Sequence, residues 1–163
     1  MRRFALLLLL ALLCGAAYAA MPQAGQVAPA FRLQDHNGHW LVMYFYPKDF
    51  TPGCTTEVCT FRDHIAKLRQ AGADIIGISL DDVTSHAQFA AKYHMPFPLL
   101  ADSSHRVATD YAVLIAMRDV HHARRITFPI GPDGKIAKIY LNVDPQQNSA
   151  QVLSDLAALK ASS

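Results

Sequence analysis

Two long, mostly apolar runs, WLVMYFY (Trp40 to Tyr46) and DIIGISL (Asp74 to Leu80), constrain the fold of this chain more than any other feature. A strand with one wet face alternates apolar and polar residues, whereas near-continuous apolar runs read as strands buried on both faces. Between them, Thr55 to Gln70 reads as a helix, with Phe61, Ile65 and Leu68 at i, i+4 and i+7 forming an apolar stripe. Strand, helix and strand in this order imply an α/β sheet covered on both faces.

The alternation continues downstream. Thr84 to Tyr93 has a helical pattern, FPLLAD that of a short strand, and His105 to Val113 that of another helix. RITFPI and KIAKIYLNV read as two strands joined by the turn residues Gly131-Pro132-Asp133-Gly134, and hence as a hairpin. Pro129 lies inside the first of them and lacks the N–H that a central strand would use. Gln151 to Leu159 closes the chain as an amphipathic helix. With 163 residues, 52% hydrophobic and 17% charged, the composition fits one globular domain with a sizeable core.

The segment MRRFALLLLLALLCGAAYAA has two arginines, an apolar run and small residues ending in Ala17-Tyr18-Ala19, the pattern of a secretory signal peptide. Its apolar run is shorter than the roughly 20 residues of a spanning helix, which favours a cleaved signal over the alternative of an uncleaved membrane anchor. Leu13 before Cys14 does not suit a lipid-attachment signal. The expected organisation is a signal over residues 1–20 and one domain over 21–163, periplasmic or secreted. Loss of Arg2 and Arg3 reduces the 15 basic residues to 13, against 13 acidic ones. A neutral domain offers no electrostatic reason to bind nucleic acid or an anionic membrane surface. After the signal come the lead-in MPQAGQVAPA and a domain with two cysteines, Cys54 and Cys59, in a compartment where disulfides persist.

In YPKDFTPGCTTEVC, Thr51 suits an N-cap and Pro52 the first helical position, so TPGC reads as a helix start. Gly53 leaves room for approach. Cys54 then falls in the first turn, where free N–H groups and the positive end of the helix dipole favour a thiolate. Cys59 on the same regular helix would have its Cα roughly 8.5 Å from that of Cys54, beyond the 4.4 to 6.8 Å or so of a disulfide. The pair can close only if the helix start unwinds, which favours a redox switch over a staple. A zinc site from Cys54, Cys59 and His64 would lack a fourth ligand.

Pro47, Thr51 and Cys54 form P-x-x-x-T-x-x-C, which resembles the active-site motif of the peroxiredoxins. With Cys59 five residues on, it resembles the bacterioferritin comigratory protein, or Q-type, branch. APAFRLQDHNG, GISLDD, FPLLAD, RITF and GPDGKI are similar to family blocks in family order. The resemblance implies a thioredoxin-like fold, a mixed sheet with helices on both faces, and a thiol peroxidase acting on hydrogen peroxide and organic hydroperoxides. It implies a peroxidatic Cys54, a resolving Cys59 and a thioredoxin-like dithiol reductant. Pro47 would shield the sulfur, the Thr51 hydroxyl would bond thiolate and peroxide, and Arg125, just before I-T-F, would supply the charge. The electrons travel through cysteines, so no cofactor or metal is expected, and the protein is expected to be a monomer without a stable membrane partner.

Arg124 competes with Arg125, and alternation along a strand lets only one of them face the site. His121-His122 reads as a solvated loop, His64 as a surface residue, and Asp81-Asp82 as a cap for the following helix. Compared with the family, about ten residues are missing between Asn37-Gly38 and Trp40, which trims a strand segment and its turn. Two alternatives to the peroxidase stay open at this point. One is a periplasmic thiol-disulfide oxidoreductase, although C-x-x-x-x-C is not its usual C-x-x-C; the other is a non-enzymatic domain stapled by one disulfide.

Overall fold

The computed structural model describes residues 20–29 and 38–162. The expected signal peptide and most of the segment around the trimmed strand lie outside the described residues. In chain order the elements are β1 (Trp40–Phe45), α1 (Pro52–Gln70), β2 (Ala73–Ser79), α2 (Val83–Tyr93), β3 (Leu99–Ala101), α3 (Arg106–Asp110), β4 (Leu114–Met117), β5 (Val120–Ala123), β6 (Ile126–Ile130) and α4 (Asn148–Ala161).

The main sheet has the order β3-β2-β1-β6. β1 pairs parallel with β2 and antiparallel with β6, and β2 pairs parallel with β3. Both apolar runs therefore lie at the centre. Along β1 the side chains alternate between two cores, as a period of two requires. Val42 and Tyr44 join Val58, Phe61, Leu68, Phe89, Val152 and Leu156 beneath α1, α2 and α4. Leu41, Met43 and Phe45 face the other way, towards Ala108 of α3 and Tyr111, Val113 and Phe128. Gly77 of β2 permits this packing: a Cβ there would stand 2.6 Å from the Tyr44 hydroxyl and 2.8 Å from Leu99 Cδ2.

Three elements differ from their sequence pattern. KIAKIYLNV does not form a continuous strand; it touches β6 through single bridges at Ile136 and Tyr140, and Lys135 bridges Val27 of the lead-in. Its turn is pinned from outside, since Gly25 N donates to Ile136 O and Ala28 N to Gly134 O, so the lead-in competes for the ladder groups. The helix expected from His105 to Val113 stops at Asp110, with Ala112 taking a φ of +51°. His121 and His122 sit on β5, which pairs with β4 in a two-stranded sheet, and do not form a loop.

Pro129 is accommodated because β6 is an edge strand of this sheet. Thr127, two residues earlier, bonds outward to Tyr140 through both its N–H and its carbonyl, and the Pro129 carbonyl accepts from Ala137. Residues of that parity point their ladder groups away from β1, so the missing N–H falls on the outer side.

Candidate active site

The first turn of α1 lies directly after the loop that leaves β1. Thr51 occupies the N-cap position with extended backbone, Pro52 opens the helix, and the Thr51 carbonyl accepts from Thr55 N at 2.9 Å. The Thr51 hydroxyl does not cap an N–H as expected. It donates instead to the Lys48 carbonyl at 3.0 Å, closing the tight loop in front of the helix. Cys54 follows in the first turn and is 1% exposed, whereas Cys59 is half-buried on the same helix; both are free thiols.

Arg125 reaches this sulfur across the end of the sheet. Its Nη2 donates to Cys54 Sγ at 3.2 Å, and its Nη1 is bonded to Glu57 Oε2. A Cβ on Gly53 would touch Nη2 at 3.4 Å, so the glycine leaves the guanidinium unhindered. Arg124 and Arg125 both precede β6, so strand alternation does not separate them and both line one cleft. Arg125 is the one bonded to the sulfur.

Glu57, one helical turn after Cys54, was not singled out from sequence. It is fully buried between Arg125 and Asn148, whose Nδ2 donates to Glu57 Oε1 at 2.9 Å and lies 2.7 Å from Thr127 Oγ1. Burial pushes its carboxyl up to about 7, and Arg125 and Asn148 offset only part of that rise. For Arg125, burial opposes the charge, but Glu57 and Cys54 outweigh it and the guanidinium is held above its ordinary value. The only sequence signal for Glu57 is its i+3 spacing from Cys54, and nothing local marks Asn148, which is 91 residues away.

A second buried network anchors the loop from the opposite side. Tyr46 OH donates to Asp49 Oδ1 at 2.8 Å, Ser85 Oγ donates to Asp49 Oδ2 at 2.7 Å, and His86 Nδ1 stands 2.8 Å from that same oxygen. Asp81 accepts from Asp49 N and the Ser79 hydroxyl, while Asp82 alone caps α2 by accepting from Ser85 N. Phe50, between these anchors, takes a φ of +60° and packs its ring against Phe89. Pro47 lines the cleft shared with Arg124 and Arg125. His64 is half-buried rather than on the surface, with Nδ1 2.9 Å from Ser149 Oγ of α4.

A buried thiol at the start of the first helix of a mixed sheet, with an arginine on its sulfur, defines a thiol enzyme of the thioredoxin-like fold. Residues 18–139 match the model of the AhpC/TSA family. Chloroplastic peroxiredoxin Q of Arabidopsis thaliana is 39% identical over 145 residues, covering 82% of this chain and 67% of the relative. Among solved structures, peroxidoxin BcpB of Mycobacterium tuberculosis superposes with a TM-score of 0.78 at 29% identity, covering 84% of this chain and 97% of that one. The bacterioferritin comigratory protein of Xanthomonas campestris, described with an alkyl peroxide reduction activity, gives 0.69 at 39% identity, covering 78% and 82%. The chain belongs to the AhpC/TSA family, in its peroxiredoxin Q or bacterioferritin comigratory protein branch. It is a thiol-dependent peroxidase, an oxidoreductase that uses peroxide substrates and thiol reductants.

Proposed function

We propose that Cys54 is the peroxidatic residue and Cys59 the resolving one. The observation that carries this reading is the Arg125 guanidinium bonded to a buried sulfur at a helix N-terminus. A fixed cation and the helix dipole together favour an anionic sulfur and a developing oxyanion beside it. The Cys54 thiolate attacks the terminal peroxide oxygen; the S–O bond forms, the O–O bond breaks, and the departing alkoxide or hydroxide takes a proton to leave as alcohol or water. Cys59 then attacks the sulfenic acid, forming a Cys54–Cys59 disulfide and releasing water. An external dithiol of thioredoxin type reduces that disulfide by exchange.

Because both cysteines lie on one continuous helix, resolution requires the first turns of α1 to open, which breaks the bonds of Glu57 to Arg125 and Asn148. Pro47 screens the sulfur from water, and the Thr51 hydroxyl turns from the Lys48 carbonyl to the bound peroxide. Arg2, Arg3, the apolar run and Ala17-Tyr18-Ala19 support export of the domain to the periplasm or beyond.

The test is to mix reduced protein with one equivalent of hydrogen peroxide and follow free thiols and mass. Loss of both thiols within seconds, with a Cys54–Cys59 bond, is expected; a full thiol titre after minutes refutes the assignment. Cys59→Ser should consume one equivalent and stop at a sulfenic acid. Cys54→Ser, with Cys59 free, should attack the disulfide of the oxidised reductant in periplasmic extract and hold that partner as a mixed disulfide, the partner's second sulfur leaving as a thiolate.

A further inference from the structure

Arg125 holds Glu57 through one nitrogen only. A guanidinium and a carboxylate favour a fork on a fork, with two parallel N–H···O bonds. Glu57 is fully buried, which strengthens the drive towards that arrangement, because each carboxylate oxygen left without a donor in the core is costly. Here the pair is one-sided all the same: Nη1 is bonded to Glu57 Oε2, while Nη2 donates to Cys54 Sγ at 3.2 Å.

What occupies the second oxygen is Asn148. Its Nδ2 donates to Glu57 Oε1 at 2.9 Å, and the same nitrogen lies 2.7 Å from Thr127 Oγ1. An amide nitrogen carries two hydrogens, and the two oxygens take one each. Asn148 Oδ1 has no partner among the described residues, although the residue is 1% exposed. An unpaired buried acceptor costs stability, so what the side chain contributes here is its two N–H groups. Thr127 lies two residues after Arg125 and is itself fixed, since its N–H and its carbonyl both bond Tyr140. The amide therefore braces Glu57 against α4 and against the strand that Arg125 precedes.

Building on the reading of Cys54 as the peroxidatic residue, we propose that Asn148 is a positioning residue for its oxidation: by holding Glu57 Oε1 it keeps the carboxylate one-sided and leaves Arg125 Nη2 to the sulfur. Without that amide, Oε1 is unpaired in the core, and a strong donor stands beside it on the guanidinium already bonded to Oε2. The carboxylate then closes on both arginine nitrogens and draws Nη2 off Cys54. Asn148 bonds neither sulfur nor peroxide and acts through Glu57 and Arg125. Tyr44 also acts on this sulfur from β1, but burial holds its phenol well above its ordinary value, so it stays neutral and does not compete for the guanidinium.

The measurement is single-turnover oxidation by hydrogen peroxide of the reduced full chain carrying Cys59→Ser, so that only Cys54 reacts. It is made at about pH 8, above the value of about 7 to which burial pushes Glu57, so that the carboxylate is ionised. N148A should be oxidised about tenfold more slowly, less than the 10²-fold or so typical of losing a preorganised donor outright. N148D, which keeps the volume and loses the donors, should be slowed at least as much. The pH midpoint of Cys54 alkylation by iodoacetamide should move up by about 1 unit in N148A, the same tenfold read on the pH scale. A double-mutant cycle decides whether the effect runs through the carboxylate: in an E57A background, N148A should stay within about twofold of E57A alone. An unchanged rate in N148A and N148D, or the same slowing with and without Glu57, overturns the proposal. Failure of the Cys59→Ser chain to consume hydrogen peroxide overturns the Cys54 assignment itself, which separates the two failures.

Discussion

The loop from Tyr46 to Thr51 is flanked by two buried polar networks built from the same kinds of groups, and they treat their carboxylates in opposite ways. On the α2 side, burial pushes the Asp49 carboxyl up, but hydrogen bonds from His86, Ser85 and Tyr46 outweigh it and hold it below its usual range. The ring of His86 is disfavoured by burial, yet its bond to Asp49 raises it above its ordinary value. On the α4 side, Glu57 is pushed up to about 7 even though Arg125 is bonded to it. Arg125 divides its donors between Glu57 and Cys54, and Asn148 Oδ1 finds no partner among the described residues. His86 Nε2 on the α2 side likewise has no partner among the described residues. The Asp49 carboxylate nevertheless keeps three side-chain donors to itself and is an anchor, whereas a carboxylate that shares its cation with a reactive sulfur is poised to open.

Breaking each side should separate function from stability. The largest effect is expected for Cys54→Ser, which should lower peroxide consumption by about a thousandfold or more while leaving the denaturation midpoint close to wild type. His86→Ala should do the reverse. Removing one partner of a buried pair is expected to lower unfolding free energy by about 3 to 5 kcal/mol in a urea titration, with the molecules that remain folded still oxidised at the wild-type rate. Arg125→Gln should slow Cys54 oxidation by about 10²-fold in stopped flow, the typical loss for one preorganised donor.

The pH dependence of stability sharpens the contrast further. Glu57 rises from 4.5 to about 7 on folding, so the folded state binds the extra proton. Stability should therefore fall as pH increases from about 4.5 to about 7, by roughly 3 kcal/mol, and level off above that. Glu57→Gln should flatten this window. The contribution of His86 has a different window: it is complete below about 6.5 and lost as pH rises through its elevated folded value. That of Asp49 is present above about 3.9 and lost as pH falls through its depressed one. The smallest effect is expected for Asn148→Ala, about 1 to 2 kcal/mol in the same titration, with a shift of the Glu57 window that a packing defect elsewhere would not cause.

The central elements were legible because their signals are local and mutually consistent. Trp40 to Phe45, Pro52 to Gln70, Ala73 to Ser79 and Val83 to Tyr93 follow from apolar period, caps and length, with boundaries shifted by a residue or two at most from the strand and helix patterns and the TPGC helix start. The elements that went astray are those whose state is decided by a distant partner. KIAKIYLNV has strand composition, but the lead-in around Val27 takes part of its ladder. The hairpin of β4 and β5 carries exposed Met117 and Val120 at its ends and two histidines, so its pattern resembles a loop. Arg124 and Arg125 could not be ranked by alternation because both lie before the strand begins.

What the sequence determined by itself is the α/β layering, the helix start that holds Cys54, and the five-residue spacing that keeps Cys59 away from it on an intact helix. These depend on periodicity, capping and chain geometry, all of which act over a few residues. Only the tertiary structure decided which arginine meets the sulfur, that Glu57 and Asn148 stand behind it, and that Asp49 and His86 tie the loop down. Those relations join groups separated by 37 to 91 residues. Burial is a property of the assembled cores, so the rise of Glu57 and the depression of Asp49 exist only after the sheet has brought α2, α4 and β6 around one loop.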